Sequence, residues 1–194
     1  MGKVYEEINE EQIRWIGEQQ MFFVATAAPD AHVNVSPRGL DTFRVLGPRR
    51  VAWLDLTGSG VETIAHLRAV GRITLMFCAF EGLPNILRLY GTGEVIEPGD
   101  EGFDGLRPHF PDLPGERAII NVSVDRIADS CGFGVPRMDF VVPRDKLLIS
   151  AGRKGPEKMA EYRALKNTQS IDGLPGLEPE RLEDQRNQTP ILPG

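Results

Sequence analysis

The sequence is poor in the residues that hold metal ions and disulfides. Cys78 and Cys131 are its only cysteines, no Cys-x-x-Cys pair occurs, and the three histidines, His32, His66 and His109, are scattered. Two cysteines so far apart make no disulfide framework, and the histidines have no metal-site or catalytic spacing. We therefore expect no metal, and we expect a reducing cytoplasm as the location.

Long hydrophobic runs and an excess of positive charge are also absent. Nowhere do 18 apolar residues follow one another, and acidic groups stand where a secretory signal would have its apolar run. The formal net charge is −6 at pH 7, and no segment is strongly basic. Because nucleic-acid-binding proteins need a basic face, we expect neither a nucleic-acid partner nor a membrane span.

The chain is instead rich in turn residues. It contains 21 glycines and 15 prolines, and its 41% of hydrophobic residues is ordinary for a soluble globular protein. Its 194 residues suit one domain with tails. Frequent turns in a chain of this size favour a compact, mainly β protein built from short strands.

Alternating hydrophobicity predicts the strands. The apolar segment 21–28 and the alternating segment 32–37 flank a Pro-Asp-Ala turn and predict a β-hairpin. Residues 44–56 repeat the pattern around a Gly-Pro turn, which predicts two more strands. Further strands are expected at 72–80, 85–98 and 118–130.

Capping patterns predict the helices. Asn9 followed by Gln12 predicts a helix before the first strand, and Ser59 followed by Glu62 predicts a second one over 60–70. The rest of the prediction consists of a short helix within 99–116, a helix after Pro156 and an extended arm from about residue 170.

Two segments are candidates for binding an anion. VNVSPRG (33–39) places a hydroxyl, a guanidinium and backbone N–H groups at the end of a strand, with Arg38 as the natural phosphate ligand. LDLTGSGVET (54–63) runs through a turn with several hydroxyls into a helix N-terminus, which favours a phosphate. The alternatives are a strand-ending turn with a solvated arginine and a capped crossover helix. The second segment is neither a Walker loop nor a dinucleotide-binding loop.

Taken together, residues 10–130 resemble the pyridoxamine 5′-phosphate oxidase-like family, whose fold is an FMN-binding, six-stranded antiparallel split β-barrel with flanking helices. The resemblance is carried by VNVSPRG, DLTGSGVETIAHL, RITLMF and RLYGTGEV and by their order. It implies a flavin-binding domain over 1–150, while 151–194 form a helix and arm that are not an independent domain. It also implies a homodimer with two flavins at the subunit interface, which 131–138 and the arm are expected to help complete.

The resemblance also implies which residues bind the cofactor. On the phosphate-binding strand these are Ser36, Pro37, Arg38 and Gly39. Backbone groups meet the flavin ring at Asp55, Leu56 and Thr57. The turn and helix that close over the phosphate carry Gly58, Ser59, Glu62 and Thr63.

The chain departs from the oxidases at this turn. They have a lysine near it, whereas this chain has Glu62 and Thr63 there and no lysine over 4–145. Arg68 or Arg72 is a candidate to replace that charge. The oxidases' substrate-recognition residues near the C-terminus have no counterpart either, so we expect no true pyridoxamine phosphate oxidase activity.

Three functions are compatible with the sequence. The first is an FMN-dependent oxidoreductase of unknown substrate, with no catalytic side chain assigned. The second is a deazaflavin-dependent reductase, which the scarcity of lysine disfavours because that cofactor has a longer acidic tail. The third is a non-catalytic protein that stores or senses a flavin or haem.

Overall fold

The computed structural model describes residues 2–178. Its strands are β1 (Val4–Tyr5), β2 (Met21–Thr26), β3 (Asn34–Gly39), β4 (Phe43–Gly47), β5 (Arg50–Leu56), β6 (Arg72–Cys78), β7 (Ile86–Ile96) and β8 (Glu116–Ser130). Its helices are α1 (Glu10–Glu18), α2 (Glu62–Val70), α3 (Phe103–Leu106) and α4 (Lys146–Lys166), with a 3-10 turn at Arg107–His109.

The strand order shows that the sheet curls into a barrel. Neighbouring strands are antiparallel in the order β3-β2-β6-β7-β8-β5-β4, so β3 and β4 lie at opposite ends of the path. Yet only residues 40–42 connect these two strands, a span of about 10 Å at most. The two ends of the sheet must therefore meet. The rings of Phe22 on β2 and Phe43 on β4 confirm this, because their centroids are 5.0 Å apart.

The short connection between β3 and β4 requires an unusual backbone. Leu40 and Asp41 both have positive φ angles, 66° and 54°, which non-glycine residues seldom adopt. The Thr42 hydroxyl donates to the Gly39 carbonyl at 2.8 Å and helps to hold this turn. The turn brings the end of β3 close to β5, because the amide of Leu54 donates to the Thr42 carbonyl.

Alternation along the strands divides the apolar side chains between two cores. The barrel interior contains Trp53 and Val51 of β5, packed with Phe22 and Phe77. The alternate residues of β5, Ala52, Leu54 and Leu56, face outward into a second cluster that α3 covers. The other members of this cluster are Ile96, Phe103, Leu106, Phe110 and Ile119. The outward side of β5 is therefore buried too, which is why this strand has few polar residues.

The structure confirms the predicted mainly β fold and its hairpins. Within residues 2–178 the sheet path has seven strands, one more than the six that the resemblance implies, and the two-residue β1 pairs separately with β8. The first capping box is present, because Asn9 and Gln12 exchange hydrogen bonds between side chain and backbone. Gly71 ends α2 in the left-handed conformation, with φ of 68°.

The C-terminal helix begins ten residues before the predicted one. α4 starts at Lys146 and is broken at Gly155, whose φ of 69° and ψ of 174° are not helical. Pro156 then begins the second half, as the sequence predicted. The first half was missed because 146–154 lacks a strong apolar stripe.

Residues 168–178 fold back onto their own chain. Gln169 and Pro175 form an isolated antiparallel bridge, and Leu177 is buried in the barrel core cluster. This part of the predicted arm is thus a compact turn against the start of α2 rather than an extended segment. Ile191 and Leu192, which the arm prediction also included, lie outside the described residues.

Candidate functional site

The inward face of β3 lies against the first turn of α2. Asn34 donates from Nδ2 to the hydroxyls of Thr63 on α2, at 3.1 Å, and of Thr26 on β2, at 3.2 Å. Ser36 donates its hydroxyl hydrogen to Asn34 Oδ1 at 2.9 Å. The Thr26 hydroxyl also lies 3.1 Å from Nδ1 of the buried His66. Two residues of the predicted site, Ser36 and Thr63, are thus joined through Asn34.

Arg38 and Asp55 meet where the barrel closes. Arg38 Nη2 lies 3.1 Å from Asp55 Oδ1, and Arg117 donates from Nε to Asp55 Oδ2 at 2.6 Å. Asp55 and Arg117 are both buried. Burial alone would raise the pKa of Asp55, but the charges of Arg117 and Arg38, together with the hydrogen bond from Arg117, hold it below its usual range. The carboxylate is therefore ionised and shared by two guanidinium groups.

The turn between β5 and α2 is held from its inner side by residues from distant parts of the chain. Arg117 donates from Nη1 to the Gly60 carbonyl at 2.9 Å and to Asn167 Oδ1 at 3.0 Å. Asn167 in turn donates from Nδ2 to the Gly58 carbonyl at 3.1 Å. Arg163 of α4 lies 3.4 Å from the Thr57 hydroxyl.

Several positive charges therefore lie beneath the turn. The side chain of Arg163 is largely removed from water, and Nη1 donates to the Glu116 carbonyl at 3.1 Å. Burial lowers the pKa of Arg163, and the neighbouring Arg117 lowers it further, although Glu97 and Glu116 act in the opposite direction. Burial and the neighbouring positive charge thus both disfavour the protonated form of the Arg163 guanidinium.

The start of α2 differs from the prediction. The residue before the helix is Val61, which gives no side-chain cap, so the capping box expected from Ser59 and Glu62 is wrong. Ser59 is exposed, and the carboxylate of Glu62 instead accepts a hydrogen bond from the amide of Ile171 at 3.3 Å. A tertiary contact from the C-terminal segment has replaced the local cap.

The remaining predicted site residues are dispersed around this corner. Pro37 is exposed on the outer side of β3, and Leu56 is buried in the outer core cluster. Gly39 lies at the end of β3, where an added Cβ would come within 3.0 Å of the Gln20 carbonyl. The structure thus brings Arg38 to Asp55 and Ser36 to Thr63, while the side chains of Pro37 and Leu56 point elsewhere.

The two arginines suggested as substitutes for the missing lysine either contact other groups or face solvent. Arg68 pairs with the buried Glu97 and donates to the Gly176 carbonyl, and Arg72 lies exposed on β6. The cations near the turn are Arg117 and Arg163, which sequence reasoning missed. The one available signal was the charge of Arg117 next to the apolar run of β8.

A cavity of about 640 Å³ lies beside the end of β3. It includes Met21, the residue that pairs with Gly39 across the β2–β3 hairpin, and Gln20. Its apolar lining comprises Trp15, Met21, Phe80, Leu83, Met138 and Phe140, and its carboxylates are Glu18, Glu81 and Asp139. The segment around Met138 approaches Phe80 directly, because the Met138 amide donates to the Phe80 carbonyl at 2.9 Å.

Comparisons with known proteins define the family. The sequence model described as pyridoxamine 5′-phosphate oxidase matches residues 8–131, more than half of the chain. The chain belongs to the pyridoxamine 5′-phosphate oxidase family. The resemblance on which the sequence prediction depended is thereby confirmed, as is the mainly β fold with flanking helices.

A curated relative extends the similarity beyond the matched region. The pyridoxamine 5′-phosphate oxidase family protein ustO of Aspergillus flavus is 40% identical over 191 residues, covering 89% of this chain and 77% of its own. Among solved structures, a HupZ variant from Group A Streptococcus is similar, with a TM-score of 0.50 and 20% identity. That match covers 63% of this chain and 99% of HupZ. It supports the family fold alone.

The remaining features to consider are metal-binding groups, membrane-spanning helices and the two cysteines. Within residues 2–178 no group of three or more His, Cys, Asp or Glu side chains could hold a metal ion. Over the same residues no helix is long and apolar enough to cross a membrane. Cys78 is buried and its pKa is raised by burial, although Arg88 acts in the opposite direction. Cys131 is exposed.

Proposed function

We propose that this chain binds FMN and uses it in an oxidation–reduction reaction on a substrate other than pyridoxamine 5′-phosphate. The observation that carries the proposal is the convergence at one corner of the barrel. Arg38 meets Asp55 there, and Arg117 connects Asp55 to Gly60 in the turn before α2. Membership of the pyridoxamine 5′-phosphate oxidase family supports the same assignment.

The residues at this corner fit a phosphate group. Arg38 and Arg117 share the single carboxylate of Asp55, which leaves an excess of positive charge beneath the turn. Arg38 Nε is buried and has no hydrogen-bond partner among the described residues, so this guanidinium retains an unused donor. Ser59 offers an exposed hydroxyl, and α2 begins without a side-chain cap. A phosphate monoester would satisfy these donors.

A bound flavin supplies hydride or electron transfer, and the chain supplies binding and orientation. In this proposal Arg38 and the turn 58–61 hold the phosphate. The backbone of Asp55, Leu56 and Thr57 meets the ring. No side chain is assigned as an acid or base, because a flavin reaction of this kind requires none from the protein.

The proposal includes a homodimer with the cofactor at the interface. β3 is an edge strand of the sheet within residues 2–178, and Val35 on its outer face and Val33 just before it are 62% and 70% exposed. Leu83, Phe133 and Val141 are each more than 80% exposed as well. In the proposed homodimer, a second copy of the chain would cover apolar groups of this kind.

The decisive experiment identifies the ligand of the purified protein. We expect a flavin absorbance spectrum, either directly or after addition of FMN, and release of FMN as judged by mass spectrometry. Oxidation of a nicotinamide cofactor by the loaded protein would then establish an enzyme rather than a storage protein. Failure of FMN, FAD and deazaflavin alike to bind at saturating concentration would rule out the proposal. Retention of haem alone would favour the non-catalytic alternative.

A further inference from the structure

We propose that Asn167, in the C-terminal segment beyond the region matched by the family model, is a positioning residue for the phosphate-binding turn. This inference rests on the proposed function. Asn167 is fully buried at the end of α4. Its side chain joins two parts of the site, because Nδ2 donates to the Gly58 carbonyl and Oδ1 accepts from Arg117.

The backbone of Asn167 is fixed independently of its side chain. Its amide donates to the Arg163 carbonyl at 2.7 Å, and its carbonyl accepts from Leu177 at 2.8 Å. Gly176 lies so close to this carbonyl and to Val61 that an added Cβ would overlap both. Asn167 is therefore held between α4 and the segment that follows, and it presents its amide group to the turn in a fixed position.

Two carbonyl groups of the turn consequently point inward. The Gly58 carbonyl accepts from Asn167, and the Gly60 carbonyl accepts from Arg117. No peptide bond in the described chain is cis. In a trans peptide the C=O and the following N–H point in opposite directions. The N–H groups of Ser59 and Val61 are therefore directed away from Asn167 and Arg117.

These outward N–H groups suit an anion. Neither Ser59 nor Val61 donates its amide hydrogen to another group within residues 2–178. The turn is open at Gly58, where an added Cβ would meet nothing within 4 Å, whereas the Glu62 carboxylate lies against Gly60. Free N–H groups next to a helix start form a site for phosphate oxygens. Asn167 and Arg117 thus orient the turn, and the backbone binds the phosphate.

The experiment compares FMN with riboflavin, which lacks the phosphate. We expect Asn167→Ala to bind FMN roughly tenfold more weakly, the effect of losing about one oriented hydrogen bond to a charged group, and to bind riboflavin as the wild type does. Asn167→Asp keeps the acceptor for Arg117 and loses only the donor to Gly58. It should show at least the same selective loss, because its carboxylate is buried beside Arg117, is little screened by salt and adds repulsion toward a phosphate. Asn121→Ala, which removes an amide paired with Arg50 far along β8, is the matched control.

A second measurement needs no cofactor. In the flavin-free protein, amide hydrogen exchange over residues 57–64 should be faster in both Asn167 variants than in the wild type and the control. Equal exchange, or equal losses for FMN and riboflavin, would overturn the positioning role. A wild type that binds FMN no better than riboflavin would instead overturn the proposed phosphate site, while the exchange result would still decide whether Asn167 holds the turn.

Discussion

Arg38 and Asp55 lie 17 positions apart on strands far from each other along the sheet path, yet Arg38 Nη2 is 3.1 Å from Asp55 Oδ1. The contact exists because the barrel closes, and it leaves Arg38 between a buried carboxylate and the candidate phosphate site. A guanidinium in that position can serve the fold and the ligand together.

Replacing Arg38 should separate these two roles. We expect Arg38→Ala to weaken FMN binding about 10- to 150-fold, since a charge-assisted bond contributes about 1.5–3 kcal/mol. Riboflavin affinity should change little, because the lost partner is the phosphate. Fluorescence titration with both flavins measures this, and Arg50→Ala on the exposed side of β5 is the control. Unchanged FMN affinity would remove Arg38 from the site.

Glu62 occupies a position where the pyridoxamine oxidases have a positive charge nearby, and we expect it to oppose the phosphate. Its carboxylate lies close enough to Gly60 that a Cβ there would overlap it. Glu62→Gln should therefore raise FMN affinity roughly two- to fivefold by removing a like charge. The gain should shrink in high salt and be absent for riboflavin. Glu94→Gln, an exposed carboxylate on β7, should have no effect.

Acid should destabilise the protein through Asp55. Its pKa in the folded protein is below the ordinary value, so its ion pairs contribute fully above the unfolded pKa of about 4 and are lost as the pH falls through the lower folded value. Asp55→Asn should be destabilised by about 3–5 kcal/mol at pH 7, since it leaves two guanidinium groups without their carboxylate. Urea unfolding between pH 7 and pH 2.5 should show a weaker acid dependence in this variant. Identical slopes for the two proteins would contradict this assignment.

The contact between Gly176 and Val61 tests how the C-terminal segment is held. Gly176→Ala places a methyl group against the Asn167 carbonyl and both Val61 methyls. We expect a loss of about 1–3 kcal/mol in the free energy of unfolding, as for other overpacked sites. Gly134→Ala, where a Cβ meets nothing within 4 Å, should be neutral in the same urea titration. Equal stability of the two variants would show that the segment adapts freely.

The homodimer can be tested at the outer face of β3. A Val33→Asp, Val35→Asp double variant should sediment as a monomer, because it places two charges in an apolar surface that the dimer would bury. Val70→Asp changes a half-exposed valine on α2 and should leave the sedimentation coefficient unchanged. A wild-type protein that is already monomeric at micromolar concentration would contradict the proposal.

The sequence pattern predicted more of the fold than of the candidate site. Alternation and turn residues located the strands of the barrel, because each strand's pattern reflects its own burial. The convergence at Asp55 could not be read in the same way, since Arg117 and Asn167 reach the turn only through tertiary packing. The error at Ser59 and Glu62 has the same origin. A local cap was expected there, but the Ile171 amide, 109 residues away, binds the Glu62 carboxylate instead.

Pro37 has a consequence for how copies of this protein can associate. It lies in the middle of β3, opposite Phe23, and within residues 2–178 no strand is hydrogen-bonded to the other side of β3. Since proline has no backbone N–H, an incoming strand would find a donor missing at the centre of this edge. The edge is therefore a poor template for strand addition and for the runaway sheet growth that leads to aggregates. In the proposed homodimer, a second subunit would therefore pack against the side chains of β3 rather than extend its hydrogen-bond ladder.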